Sequence, residues 1–153
     1  MWIQRAQYKQ LNSSPCTPPS DTTISVVWEN DEIVSPKSDI NDETSYSIER
    51  TLSGFSDHSE MINLQISGVV SAVDNPKGNS DAWITFSVYI NGKDTKTYDP
   101  NPAGLGSNHN INIPITIKKP SDGKIKIKIR AVRADNPIHS SLKIWKGFKI
   151  SGK

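Results

Sequence analysis

The sequence predicts an all-β fold: an antiparallel β-sandwich of jelly-roll or immunoglobulin-like type, with about eight strands and an extended N-terminal arm. Three observations carry this expectation. Apolar and polar residues alternate, as in Ile84, Phe86, Val88 and Ile90 against Thr85, Ser87 and Tyr89, which gives each strand one buried and one wet face. The apolar residues are largely Ile and Val, whose branched side chains suit a pleated, half-buried surface. Turn-forming residues recur at intervals of about ten positions, and no 3.6-residue stripe marks a helix. A chain of 153 residues with 34% apolar content can bury one core without disulfide or metal staples. That core is assigned to residues 21–153, behind an arm of residues 1–20.

The first strand runs through Ile24, Val26 and Trp28, followed by an acidic, polar stretch from Asn30 to Thr44 that reads as a long loop. Tyr46, Ile48 and Leu52 share one face of the next strand, with Arg50 as the exception. Ile62, Leu64 and Ile66 alternate until Gly68 interrupts, and Val69–Val73 is expected to change phase there through a bulge. The strand ending at Ile90 runs directly into Asn91-Gly92, a dipeptide that tolerates the positive φ angles of a type I′ hairpin turn, so Lys93–Tyr98 is the return strand. Ile111, Ile113, Ile115 and Ile117 lie on one face, with Pro114 marking an edge or bulged strand. After the turn at Ser121-Asp122-Gly123, Ile125, Ile127 and Ile129 alternate with Lys124, Lys126, Lys128 and Arg130. The last strand runs from Leu142 to Ile150, with Gly147 allowing a register shift between Ile144 and Phe148.

The arm holds an apolar start, with Trp2, Ile3, Tyr8 and Leu11, and then a Ser/Pro break up to Ser20. Cys16 is the lone cysteine, so no disulfide forms within the chain. The N-terminus lacks the apolar core of a signal peptide and no stretch is long and apolar enough for a membrane span. A protein made in the cytoplasm, with no membrane partner, is expected.

Charge is distributed unevenly. The net charge is only +2, yet between Asp21 and Glu60 ten acids face Lys37 and Arg50, and from Lys118 onward eleven bases face Asp122 and Asp135. This asymmetry suits a subunit that associates head-to-tail, or a basic patch that meets an anionic surface. Lys124, Lys126 and Lys128 would also protect an edge strand from aggregation. Composition argues against nucleic acid as a partner: a basic groove interleaves aromatics for base stacking, and only Trp145 and Phe148 lie among these lysines.

Chemistry-bearing patterns are few. His58, His109 and His139 each stand alone in polar, loop-like settings, and none pairs at metal-ligand spacing. No nucleophile elbow, phosphate loop or paired-carboxylate motif occurs, so neither an enzyme nor a bound cofactor is expected. Asp74, Asn79 and Asp81 could offer oxygen ligands to calcium from one turn, although Asx residues are ordinary turn formers and the spacing is not that of an EF-hand. Trp83, Tyr89 and Tyr98, near an Asn-rich loop, could form a sugar-binding surface, with Tyr89 placed opposite the buried Ile90.

The polar N-terminal arm, the Ile/Asn/Lys-rich alternating strands from Ile62 to Ile150 and the Asn-Gly hairpin resemble small virion proteins of tailed bacteriophages: capsid decoration, head-fibre or tail components. The resemblance implies a jelly-roll or immunoglobulin-like sandwich and a structural or attachment subunit of a virion assembled in the host cytoplasm. Its partners would be other virion proteins or copies of itself. Trp2, Ile3 and Tyr8 of the arm and Lys124, Lys126 and Lys128 of the basic strand are the contact residues expected. The alternative is a carbohydrate-binding, lectin-like module for host attachment through Trp83, Tyr89 and Tyr98.

Overall fold

A computed structural model describes residues 18–35, 45–74, 84–98, 108–133 and 140–153. They form ten strands and no helix: β1 (Ile24–Val27), β2 (Glu32–Val34), β3 (Ser45–Ser53), β4 (Met61–Asp74), β5 (Ile84–Ile90), β6 (Lys93–Tyr98), β7 (Asn108–Lys118), β8 (Lys124–Arg133), β9 (Ser140–Ile144) and β10 (Lys149–Gly152). One sheet holds β1, β2, β4, β7, β9 and β10; the other runs β3-β8-β5-β6, and every pairing between strands is antiparallel.

Two pairs of these strands are single strands with an interruption. β9 and β10 pair with the same side of β4, through Ile144↔Val70 and Lys149↔Ser67. Between those pairs β4 advances three residues and its partner five, so two extra residues are accommodated at Trp145–Phe148. β1 and β2 lie beyond them and break at the same level, where Trp28 N–H donates to Phe148 O and Gly147 N–H to Trp28 O, both at 2.8 Å. Counted as continuous strands, the ten become eight. The first pairs with the eighth, the second with the seventh, the third with the sixth and the fourth with the fifth. This is a long hairpin wrapped into two four-stranded sheets, the topology of a jelly roll, and it excludes the immunoglobulin-like alternative.

The hairpin tip is the expected turn: Asn91 and Gly92 have φ of 49° and 86°. Pro114 marks an edge, since among the described strands β7 pairs only with β4. The bulge expected after Gly68 is absent, because β4 and β7 stay in register from Met61↔Lys118 to Ser71↔Asn108. The irregularity lies instead in the neighbouring strand at Phe148. β8 is not an edge strand, being flanked by β3 and β5, so its lysines do not protect an edge. The short β2 was hidden in the acidic stretch read as a loop.

Side chains from both inner faces fill the core, with Phe86, Phe148, Ile62, Ile66, Ile125 and Ile127 among those fully buried. Phe55, from the loop after β3, joins them. The described chain enters beside this loop: Ser20 bridges to His58, and Ser20 N–H donates to Asp57 O at 2.6 Å. His58 is buried rather than loop-exposed, stacked edge-on against Phe55 with centroids 4.8 Å apart. Its Nε2–H donates to Thr22 O at 2.6 Å, since a carbonyl only accepts, and Nδ1 is buried with no hydrogen-bond partner among the described residues.

Gly68 fits the interruption because its φ of 138° and its contact with Phe148 exclude a side chain; a Cβ there would lie 2.6 Å from Phe148 Cα. Gly68→Ala should therefore cost about 2–4 kcal/mol, from backbone strain plus overpacking. Gly92→Ala, where nothing lies within 4 Å, should cost about 1 kcal/mol from strain alone. Denaturant unfolding of both variants checks the difference.

Candidate functional site

Because β8 is central and alternates strictly, its polar residues form a straight row down the outer face of the second sheet. Lys124 and Lys126 are exposed, Lys128 and Arg130 half-buried, and Ile125, Ile127 and Ile129 point into the core. Successive positions in the row are about 6.6–6.8 Å apart along the backbone, two residues of strand. On the β3 side the register sets Ser53 beside Lys124, Thr51 beside Lys126, Glu49 beside Lys128 and Ser47 beside Arg130. On the β5 side Tyr89 stands beside Lys128 and Ser87 beside Arg130. Lys128 Nζ lies 4.8 Å from the centroid of the Tyr89 ring, and Arg130 Nη1 donates to the Tyr89 hydroxyl at 3.2 Å. The expected partner-binding lysines and the expected sugar-binding tyrosine therefore share one surface, with Tyr89 partly rather than fully exposed.

The acidic segment behaves differently. Arg50, the exception on β3, faces inward at the sandwich edge and reaches across to the other sheet. Its Nη2 donates to Glu32 Oε2 at 2.7 Å, and Trp28 Nε1–H donates to the same oxygen at 2.6 Å. The guanidinium sits 5.1 Å from the Trp28 ring centroid, and Trp28 meets Phe148 edge-on at 5.2 Å. Val26–Glu32 and Arg50 line a cleft of about 370 Å³. That volume would suit a small ligand, but its polar walls already bond one another and act as a closure of the sandwich edge. Asp31, in the same turn, accepts Lys146 N–H at 2.7 Å and pairs with Lys143 at 3.3 Å. Among the described residues, then, both ion pairs involve the acids of this edge, and the β8 row has no carboxylate bound to it.

Trp145, noted in the sequence only as an aromatic among lysines, lies on the outer face of the first sheet. Its Nε1–H donates to Ser71 Oγ at 2.8 Å, and Ser71 in turn donates to Asn108 Oδ1 at 2.7 Å. Lys143 Nζ covers the ring at 3.6 Å. Neighbouring amides also bond across strands, Gln65 to Asn112, and Thr116 donates to Asn63. On this face the amides, hydroxyls and the Trp145 ring largely engage one another across strands.

Of the remaining expected site residues, Trp2, Ile3, Tyr8, Asn79, Asp81 and Trp83 lie outside the described residues. Asp74 ends β4 and Tyr98 ends β6. Among the described residues no three His, Cys, Asp or Glu side chains converge as a metal would require. His109 is part of β7, opposite Val70, rather than in a loop; His139 lies outside the described residues.

No family model matches the chain, and no curated protein sequence matches it. Solved structures of similar fold include a sugar-binding protein, the EclA C-terminal domain, at 11% identity over 92% of this chain and 84% of that one, with a TM-score of 0.44. A chain of infectious bursal disease virus, Gx strain, is similar at 10% identity over 86% of this chain and 32% of that one, with a TM-score of 0.42. A family 35 carbohydrate-binding module from an environmental isolate is 22% identical over 84% of this chain and 95% of that one, with a TM-score of 0.37. Likeness of this degree carries no argument about function. Among the described residues no helix is long and apolar enough to cross a membrane.

The Asp31 carboxyl is held below its usual value of 3.8, chiefly by the Lys146 backbone N–H, against an opposing desolvation, with the Lys143 ammonium adding to the lowering. A lowered folded pKa contributes stability above the ordinary carboxylate value and loses it as pH falls through the folded value. The melting temperature of the wild type should thus exceed that of Asp31→Asn at about pH 6, and the gap should close as pH falls below the ordinary carboxylate value. Parallel thermal melts across that range check this.

Proposed function

We propose that this protein is a non-catalytic attachment subunit that meets an anionic partner through the outer face of its second sheet. The observation supporting it is the row Lys124, Lys126, Lys128 and Arg130 on a central strand, where the described residues provide no bound carboxylate. The head-to-tail alternative, in which the acidic segment of one copy meets the basic row of the next, is weakened because Glu32 and Asp31 are already paired within their own chain. An external anion is the simpler complement. In the setting that the sequence resemblance implies, that partner belongs to a virion or to the host surface to which a virion attaches.

This reading is tested with the full-length protein against dextran sulfate, polyphosphate and polyglutamate, with uncharged dextran as control. At least one polyanion should bind, with an affinity that falls as salt rises. Replacing Lys124, Lys126 and Lys128 with glutamine should weaken that binding roughly 100-fold, at about 1 kcal/mol per lysine, without changing the melting temperature by more than a few degrees. Equal binding to dextran and the polyanions, or a triple variant that binds like wild type, rules the reading out.

A further inference from the structure

We infer that the ligand of this basic row is an acidic polysaccharide, a polymer of sugar rings carrying carboxylate or sulfate groups, lying along the seam between β3 and β8. The inference rests on the reading of the row as an anion-binding surface.

The seam has two parallel ladders. One is the cation row of β8; the other is the outward row of β3, Ser47, Glu49, Thr51 and Ser53, all exposed. Rung by rung the register pairs Lys124 with Ser53, Lys126 with Thr51 and Arg130 with Ser47. Among the described residues none of these three hydroxyls is bonded to another side chain, so each is free to donate and accept. A ligand that alternates fixed anionic groups with hydroxyls satisfies both ladders at once: its anions meet ammonium and guanidinium groups, and its hydroxyls exchange hydrogen bonds with Ser and Thr.

Glu49 separates this ligand from other polyanions. It stands at the third rung, opposite Lys128. A chain with a negative charge on every unit, such as polyphosphate or a nucleic acid backbone, would bring like charge against that carboxylate. A sugar polymer can present a hydroxyl there, which Glu49 accepts. Nucleic acid is further disfavoured because bases bind by stacking on aromatic rings. Tyr89 is the one aromatic beside the described row, with its ring under Lys128 and its hydroxyl bonded to Arg130. A protein partner would want a buried apolar or aromatic anchor at the centre of the contact, where this seam offers only cations, hydroxyls and one carboxylate.

The test measures binding of the full-length protein to hyaluronan, κ-carrageenan, polyphosphate and a single-stranded oligonucleotide at one moderate salt concentration. Hyaluronan or κ-carrageenan, each with an anionic group on every second ring, should bind more tightly than the other two; the first carries only carboxylate and the second only sulfate, so they separate the two sources. A Ser47→Ala, Thr51→Val, Ser53→Ala variant, which keeps every charge, should weaken saccharide binding roughly 5- to 10-fold and leave polyphosphate binding unchanged. Glu49→Gln should narrow the preference by strengthening polyphosphate and oligonucleotide binding. Tighter binding of polyphosphate or oligonucleotide, or a hydroxyl variant that weakens all four equally, overturns the polysaccharide assignment and leaves the anion-binding reading intact. Binding to none of the four overturns both.

Discussion

The two-residue turn at Asn91-Gly92 sets the register at the tip of the central hairpin, Ile90↔Lys93 and Tyr89↔Asp94, and a one-residue shift opposite Val88 and Tyr89 carries the pairing on to Phe86↔Tyr98. Side chains alternate with a period of two, so a slip of one residue would turn Phe86 and Val88 outward and bring Tyr89 into the core. With β5 and β6 fixed, β8 pairs along the other side of β5, β3 along β8, and the long strand β4 carries the second sheet. The same alternation that sends Ile125, Ile127 and Ile129 inward sends Lys124, Lys126 and Lys128 outward. Core and basic row are two consequences of one register, so neither can shift without the other.

A second constraint acts where the first and eighth strands break together. Extra residues at Trp145–Phe148 would normally disturb one strand only, but Trp28 follows the interruption by bonding its backbone to Phe148 and Gly147. Gly68 makes room for Phe148 from the other side. The break turns Trp28 towards Arg50 and brings Glu32 within reach of both. Asp31 and Glu32 are engaged in holding the edge closed, and in this the acidic segment differs from the basic row.

Much of this was legible in the sequence, for a physical reason: strict alternation and an Asn-Gly turn are local signals. The hairpin, the edge character of β7 at Pro114 and the irregularity near Gly147 could all be read from neighbouring residues. The phase change placed at Gly68 belonged to the strand beside it, because a glycine records a close approach without saying which backbone makes it. Arg50 stood out as a charge on an apolar face, but its partner Glu32 lies in another strand and sheet. The lysines of β8 were visible as a row, yet whether that row sits at an edge or in the middle of a sheet depends on strand order. Tyr89 and those lysines were assigned to different ligands for the same reason: only the β5–β8 pairing brings them together.

The position of the row bears on what it does. Charges on an edge strand have a use without any partner, since they discourage pairing with another chain. On a central strand the backbone is already paired on both sides, and that explanation is gone. Were the four charges to stand at the backbone repeat of about 6.7 Å, they would repel their neighbours by roughly 0.6 kcal/mol per adjacent pair even in the dielectric of water. That is a small cost against a typical folding free energy of about 5–15 kcal/mol, and within the chain it is offset only by the contacts of Lys128 and Arg130 with Tyr89 and by Glu49 opposite Lys128. An anionic ligand along the seam removes the repulsion and adds its own attraction, most strongly at low salt, where screening is weakest. The central placement of β8 thus turns an ordinary solvated row into a surface whose charge is best balanced by a ligand from outside the chain.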